Sequence, residues 1–527
     1  MQENKEGSTA ANEGKRKRRA GMTHQTLVGF FWTFSGVSVQ AVLGIVILGW
    51  LARLLSPTDF GILAAALVVG SFSDIFSQIG IGPAIIQRSE LAENHIRTGF
   101  TASVLFGLVV STTIWLLTPL IASVFRMPTL EPVLRVFTLV FVIGSLSVVA
   151  ESLLRRNLKF RSLASIEAAT YVIGYGAVAI TLAKLGFGVW SLVIGNLAKE
   201  VLKTIALLIV QPHAKLPLFD RQAFKDLVYF GGGFTVARVL HQFAVQGDNF
   251  VVGRWLGASA LGVYERAFAV MKHPATVYAK IIDSVLFPSM AKLQDDPKRL
   301  GVAYRRGLAL VTLIVLPLSA SLCVLAPEVI ELLLGRSWSG VVVPFQILAA
   351  GLIFRMASRI SGSLVVARGA VYHAAWRQGV YAAGVVFGAW LGQHWGLSGV
   401  ALSVVLAIGI YYFMIIQLSL SLISSLTWKD VLVVHLPGIW SAAIVGGQVW
   451  VIAVVLRLLH LPPLAVIIGT VAWVALSLIG LLHLKPELVL GHDASWMLQT
   501  LVDYLPGKAR SVAAKTLNVK PSGRGRD

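Results

Sequence analysis

The chain has 527 residues, 56% of them hydrophobic and 13% charged, with a formal net charge of +20. A soluble domain is nearer half apolar and a quarter charged, so this composition excludes one and points to a polytopic membrane protein. The excess of Lys and Arg is read as topological, because cytoplasmic loops of membrane proteins collect these residues, and nucleic acid is not expected as a partner.

The first 26 residues are polar and contain the run Lys15-Arg16-Lys17-Arg18-Arg19. This run is expected to lie on the cytoplasmic face against anionic membrane lipids. No short apolar run there ends in a small-residue cleavage site, so a cleavable leader is not expected. A spanning helix needs about 20 mostly apolar residues. Qualifying segments begin near Leu27, Gly61, Ile96, Glu131, Leu163, Val189 and Phe224, then near Leu261, Gly301, Ser339, His373, Leu397, His435 and Pro462. They predict an all-α polytopic fold of about fourteen transmembrane helices with short loops. The single cysteine, Cys323, lies in an apolar helix and reads as packing. It excludes an intramolecular disulfide and a Cys-based zinc site, and no metal or cofactor is expected.

Ionisable residues inside spans are costly and usually face water or a partner. In chain order the first is Asp74 in helix 2, with Ser71, Ser73 and Ser77 nearby, and the next is Glu167 in helix 5. Both are candidates for binding a coupling proton or sodium ion, with a salt bridge as the competing reading. Lys199, Glu200 and Lys203 in helix 6 read as partly self-paired. Helix 7 carries Arg238 and His241 after Gly231-Gly232-Gly233, where the helix can bend or be approached closely. Arg238 is a candidate for lining a cavity, His241 reads as a packing residue, and Asp248 reads as structural, linked to the turn into helix 8. In helix 8, Arg266, His273 and Lys280 recur every seven residues as a cationic stripe, while Lys280 and Asp283 could instead pair. Helix 10 holds Arg355 and Arg359, four apart on one face, with Ser358 and Ser363 close by. Stacked like charges favour an anion between them, and two guanidinium forks suit a diphosphate; unseen carboxylates or carbonyls are the alternative.

Two stretches repeat. Arg53-Leu54-Leu55-Ser56-Pro57-Thr58-Asp59-Phe60-Gly61 is answered by Arg254-Trp255-Leu256-Gly257-Ala258-Ser259-Ala260-Leu261-Gly262. Each closes an apolar segment with Arg and restarts at a Gly eight positions later. Helix 1 ends at the first and helix 7 at the second, so each repeat has six helices, and an even number makes the repeats parallel. With the N-terminus inside, the cytoplasmic loops hold 17 Lys and Arg against 6 in the opposite loops, which predicts both termini in the cytoplasm. The implied organisation is a basic cytoplasmic tail over 1–26, a six-helix lobe over 27–211 and a second over 212–423. Two extra helices over 424–484 and a cytoplasmic tail over 485–527 complete it.

The stretch 51–61, with Ile79-Gly80-Ile81-Gly82-Pro83-Ala84-Ile85-Ile86-Gln87-Arg88, resembles the opening of Wzx-type polysaccharide exporters of the MOP flippase superfamily. So do Asp248-Asn249-Phe250-Val251-Val252-Gly253-Arg254, Leu261-Gly262-Val263-Tyr264, Phe287-Pro288, Leu293-Gln294-Asp295, Ala326-Pro327-Glu328, Leu334-Gly335-Arg336-Ser337-Trp338 and Phe345-Gln346-Ile347-Leu348. The resemblance runs from about Leu27 to Leu422. One departure is Ala367-Arg368-Gly369, where relatives often have an Ala-Leu-Gly-like turn. The resemblance implies two six-helix lobes enclosing a cavity, and transport of a polyprenyl-diphosphate-linked oligosaccharide to the periplasmic leaflet of a bacterial inner membrane. It further implies a place beside polysaccharide polymerase and export machinery, in exopolysaccharide, capsule or O-antigen synthesis. Helices 13 and 14 would then offer a side groove for the lipid tail.

A flippase without covalent chemistry is therefore the leading expectation, with Arg355, Arg359, Arg238, Arg266, His273 and Lys280 as substrate contacts. The alternatives are a lipid-linked peptidoglycan precursor flippase and a multidrug or cation antiporter on the same architecture. An enzyme of the pathway, such as a glycosyltransferase, polymerase or ligase, is less favoured, because no sizeable outward loop carries a catalytic constellation.

Overall fold

The computed structural model describes residues 42–484 apart from 79, 89, 215, 282–286 and 424–425. The side chains of 74–78, 227–238, 240, 273–281, 287–289, 371 and 478–484 are not described. The predicted start of helix 1 at Leu27 and both tails therefore lie outside the described residues. Every regular element among the described residues is helical.

The first elements are α1 (Val42–Leu54), α2 (Pro57–Gln78), α3 (Ile81–Gln87) and α4 (Glu93–Phe125). A bent run follows: α5 (Leu130–Phe137), α6 (Leu139–Ser145) and α7 (Val148–Arg156). Then come α8 (Phe160–Thr170), a π-helical turn (Tyr171–Ala177), α9 (Val178–Lys184) and α10 (Val189–Val210). The long α11 (Arg221–Val251) passes without a break through Gly231-Gly232-Gly233 and leads through a second π turn (Val252–Leu256) to α12 (Gly257–Ile281). The remainder is α13 (Phe287–Lys292), α14 (Pro297–Val324), α15 (Ala326–Leu333), α16 (Val342–Ala350), α17 (Leu352–Ala367), α18 (Val371–Gly392), α19 (Gly396–Leu422), α20 (Trp428–Leu458) and α21 (Pro463–Leu484).

Six helical stretches among the described residues are long and apolar enough to cross a membrane, or seven if the run 130–156, bent by 44° between α6 and α7, counts as one. One of the six, Tyr372–Leu422, contains α18 and α19, which pack against each other as a hairpin. Shorter apolar helices occupy Val42–Leu54, Pro57–Ser73 and Pro463–Ser477.

Several helix starts follow from local chemistry. Ser56 and Asp59 form a reciprocal cap: the Asp59 amide donates to Ser56 Oγ (3.2 Å) and the Ser56 amide to Asp59 Oδ2 (2.9 Å). Pro57 occupies the first helical position, where its missing N–H costs nothing. Thr427 and Asp430 repeat the device at α20, and Asp296 with Pro297 starts α14.

The described chain forms two compact units, residues 42–47 with 66–239 and residues 48–65 with 240–484. In the first, Ile81, Ile85, Ala102, Val149 and Leu153 make one buried cluster, and Ala150, Leu154, Leu163 and Leu207 another. Arg156 donates to the carbonyls of Ile85 (2.8 Å) and Arg88, covering the C-terminal end of α3. The segment before α11 is docked on α4: the Leu218 amide donates to Thr101 Oγ1 and the Asp220 amide to Thr98 Oγ1, each at 3.1 Å.

In the second unit the two repeated corners meet each other. A Cβ on Gly61 would lie 1.7 Å from the Ala258 carbonyl oxygen, and one on Gly262 would lie 1.8 Å from that of Pro57. The two contacts exchange under the same shift in numbering. Only residues without a side chain allow this backbone approach. Around it Trp338 Nε1 donates to the Ala52 carbonyl (2.8 Å), Phe60 and Trp338 stack edge to face, and Arg53 Nη2 donates to the Leu332 carbonyl (2.6 Å). Elsewhere in this unit Glu328, 7% exposed, takes two bonds from Arg457 at 2.6 and 2.8 Å, fixing the end of α20 to α15.

Candidate functional site

The second unit gathers polar groups around one face of α17. Arg355 and Arg359 are one turn apart, so the helix stacks them in two tiers. In the deeper tier the Arg355 guanidinium lies 5.0 Å from the centre of the Phe268 ring, a cation–π contact, and bonds to the Tyr381 hydroxyl of α18. Asp248, 2% exposed at the end of α11, lies within electrostatic reach of Arg355. Its carboxylate accepts from the Tyr264 hydroxyl (2.8 Å) and the Asn249 amide (2.9 Å). This ties α11 to α12, the role the sequence assigned to Asp248.

The outer tier uses the same helices. Arg359 is exposed and close enough to His241 of α11 for their charges to interact. Gln378 Nε2 of α18 lies 3.5 Å from His241 Nδ1. His241, expected as a packing residue, is exposed. The face thus passes from a counter-charged, aromatic-walled arginine to an exposed arginine beside an imidazole and an amide. Donors of this kind suit a phosphate-bearing anion.

The rest of the predicted cationic set is spread more widely. Arg266 pairs with neighbouring Glu265 and sits 4.7 Å from the centre of the Phe60 ring, so its charge is engaged in packing. The side chains of Arg238, His273, Lys280 and Asp74 are outside the described residues.

The first unit holds a second polar group, between α7, α8 and α10. Glu151 is 2.6 Å from Arg155 and 2.9 Å from Lys203. Arg155 also reaches Glu167 at 3.9 Å. Lys199 lies within electrostatic reach of Glu200, Lys203 and Glu167. Lys203, expected to pair within its own helix, thus crosses to α7. Three carboxylates face three cations, so the group is balanced. No group of three or more His, Cys, Asp or Glu suited to a metal ion occurs among the described residues.

Phe268, Tyr381 and Gln378 in the second unit and Glu151 in the first carry no sequence signal of their own, and Tyr264 stands out in sequence only as part of the stretch that carries the family resemblance. Their partners are remote in the chain, except that Glu151 and Arg155 stand at a helical i,i+4 spacing.

Comparison with known proteins adds the family context. A family model described as "Polysaccharide biosynthesis protein" matches residues 50–343. The "Lipopolysaccharide biosynthesis protein WzxC" of Escherichia coli (strain K12) is 27% identical over 359 residues, covering 66% of this chain and 71% of that protein. The "Succinoglycan biosynthesis transport protein ExoT" of Rhizobium meliloti (strain 1021) is 27% identical over 289 residues, covering 55% and 58%. Among solved structures, "Lipid II flippase MurJ, inward closed conformation" superposes with a TM-score of 0.64 at 15% identity, covering 79% of this chain and 91% of that one, which is a likeness of fold.

Proposed function

Because the chain belongs to the polysaccharide biosynthesis protein family, we propose that it is a flippase moving a polyprenyl-diphosphate-linked oligosaccharide across a bacterial inner membrane by alternating access. The observation that carries the reading is the two-tier arginine face of α17. A diphosphate offers several acceptor oxygens to guanidinium forks, and an exposed arginine inside a membrane protein belongs on a water-filled surface. Similarity to a succinoglycan transport protein supports transport over covalent chemistry. Arg359, with His241 and Gln378, meets the diphosphate first, and Arg355 takes it deeper. Arg238, His273 and Lys280 are proposed substrate contacts on the sequence pattern alone, while Arg266 is the least suited because Glu265 and Phe60 already engage it.

The finer architecture belongs to the same reading: fourteen crossings, two parallel six-helix repeats, two added helices, and both termini in the cytoplasm. The reciprocal Gly61 and Gly262 approach supports the repeat, and the loop charges support the orientation. A coupling proton or sodium ion is assigned to Asp74 in preference to Glu167, which lies 3.9 Å from Arg155. The polysaccharide polymerase and export machinery would receive the product.

The test is flipping of a lipid-linked oligosaccharide by the full chain in proteoliposomes. Arg359→Ala and Arg355→Ala are expected to slow it at unchanged protein yield. Wild-type rates from both folded variants would overturn the diphosphate assignment.

A further inference from the structure

The π turn at Tyr171–Ala177 sits at a particular place in the first unit. Such turns interrupt α-helices and often mark functional positions. Within it, Tyr171 and Tyr175 stack with ring centroids 5.4 Å apart and an interplanar angle of 29°. Both are half-buried. Gly174 lets this turn meet α10 backbone to backbone, since a Cβ there would lie 2.5 Å from the Lys199 Cα. The turn that carries the stacked rings is thereby fixed against α10 at Lys199.

Glu167, Tyr171 and Tyr175 follow one another at intervals of four, so they share one stripe of the helix. The Glu167 side chain is 38% exposed. A carboxylate within a membrane span does not face hydrocarbon, and this one is answered by Arg155 at 3.9 Å while part of it stays open. The tyrosines follow it on the same stripe. The charges nearest the turn, Glu167 and Lys199, are of opposite sign and offer one carboxylate acceptor and one ammonium donor. An anion gains little from such a surface. A pyranose ring gains from each part: its C–H face packs on an aromatic face, and its hydroxyls both donate to carboxylates and accept from ammonium groups.

We propose that Tyr171 and Tyr175, beside Glu167 and Lys199, form a saccharide-binding platform in the first unit, distinct in its residues from the arginine face proposed for the diphosphate. It rests on the flippase reading for its purpose, but its ligand chemistry is independent of that reading.

The test uses the full chain in nanodiscs and two soluble probes: a panel of short neutral oligosaccharides and inorganic diphosphate. Binding is read by saturation-transfer NMR for the sugars and by competition titration for the diphosphate. Wild type should bind members of the sugar panel, and Tyr175→Ala should weaken them about fivefold, the size of an aromatic contact. Tyr175→Phe, which keeps the ring, should retain binding. Diphosphate affinity should be unchanged in Tyr175→Ala and reduced in Arg359→Ala, which also shows that the tyrosine variant is folded. Should Tyr175→Ala lose both probes, Tyr175→Leu preserves the bulk and decides the matter by its sugar signal alone. Absence of sugar binding in wild type, or equal binding in the leucine variant, overturns the platform while leaving the diphosphate face standing. Failure of wild type to bind diphosphate, with sugar binding intact, overturns the arginine assignment instead.

Discussion

In the first unit Glu151 lies within 3 Å of both Arg155 and Lys203, and each helix of the cluster supplies charge that a neighbour answers. In the second unit α17 brings two arginines to one face, with Asp248 within electrostatic reach of the deeper one and the outer one exposed beside His241. Both arrangements sit in helices of a membrane protein, where an ionisable group must be either paired or wet. The first unit uses pairing to hold helices together. The second stacks two arginines on one helix face, the deeper one near Asp248 and the outer one exposed, which is the face proposed to meet the diphosphate. The difference is between charges that answer one another across three helices and two like charges stacked on one helix.

The largest expected effect tests the first half of that contrast. Glu151→Ala removes the carboxylate shared by two cations in a setting where the Glu151 and Lys203 side chains are about one-fifth exposed. Breaking a buried pair by removing one partner costs about 3 kcal/mol. A clear fall in the thermal midpoint of the detergent-purified protein is the expected reading. A variant as stable as wild type would mean that the cluster is not structural.

The second prediction concerns the other unit. Arg359→Ala should leave the thermal midpoint nearly unchanged, as an exposed substitution does, within about 0.5 kcal/mol. Flipping should nevertheless fall by about tenfold to a hundredfold, the value of one charge-assisted contact. If stability fell and flipping did not, the roles of the two units would be reversed. Arg359→Lys should recover only part of the rate, because an ammonium lacks the planar fork.

How much of this was legible from sequence follows the range of each interaction. The reciprocal cap at Ser56 and Asp59 can be read locally, and so can long apolar helices such as α4 and α20. The bend between α6 and α7 is less plain: the sequence from Glu131 reads as one span, and Gly144-Ser145 just before the turn is a pair that can kink a helix, yet glycine is also common in unbroken membrane helices. Asp248 was assigned correctly to the helix 7–8 junction, but its partner Tyr264 is known only when the helices are packed. The stripe of Glu167, Tyr171 and Tyr175 was present at helical spacing and went unread, because a π turn and its contact with α10 leave no composition signal. Arg155, at the end of α7, reaches Glu167 of α8, a contact that depends on how the helices pack.

A third prediction asks whether the contrast follows the unit or the carboxylate. Glu328 and Arg457 form a two-pronged pair in the second unit, so that unit also pairs charge wherever a carboxylate is at hand. Arg457→Ala leaves the buried Glu328 without its partner. Since the Arg457 side chain is 36% exposed, the loss should be smaller than for Glu151, about 1 kcal/mol. It should appear in the thermal midpoint, with flipping following only as far as folded protein is lost. A selective loss of flipping would place this pair with the transport machinery and blur the contrast.

The smallest effect lies at the surface, where pairing of the first unit's kind should count for least. Asp220 starts α11; its carboxylate accepts from Asn94 Nδ2 at 3.0 Å and from the amides of Gln222 and Ala223 at 2.8 and 3.2 Å. These bonds favour the ionised form and hold its pKa below the ordinary 3.8, the Asn94 bond most of all. For an acid depressed in this way, the stabilisation is fully present above the unfolded value and is lost as pH falls through the folded one. The docked segment 216–223 should therefore be indifferent to pH from neutrality down to about 4 and loosen only below that. Hydrogen exchange at the amides of Leu218, Asp220, Gln222 and Ala223 reads this directly. Asp220→Asn should bring the looser state to neutral pH while leaving the protein folded. A global unfolding on that substitution would show that an exposed cap carries weight comparable to the buried Glu151 cluster, and the distinction between deep pairing and surface pairing would fail.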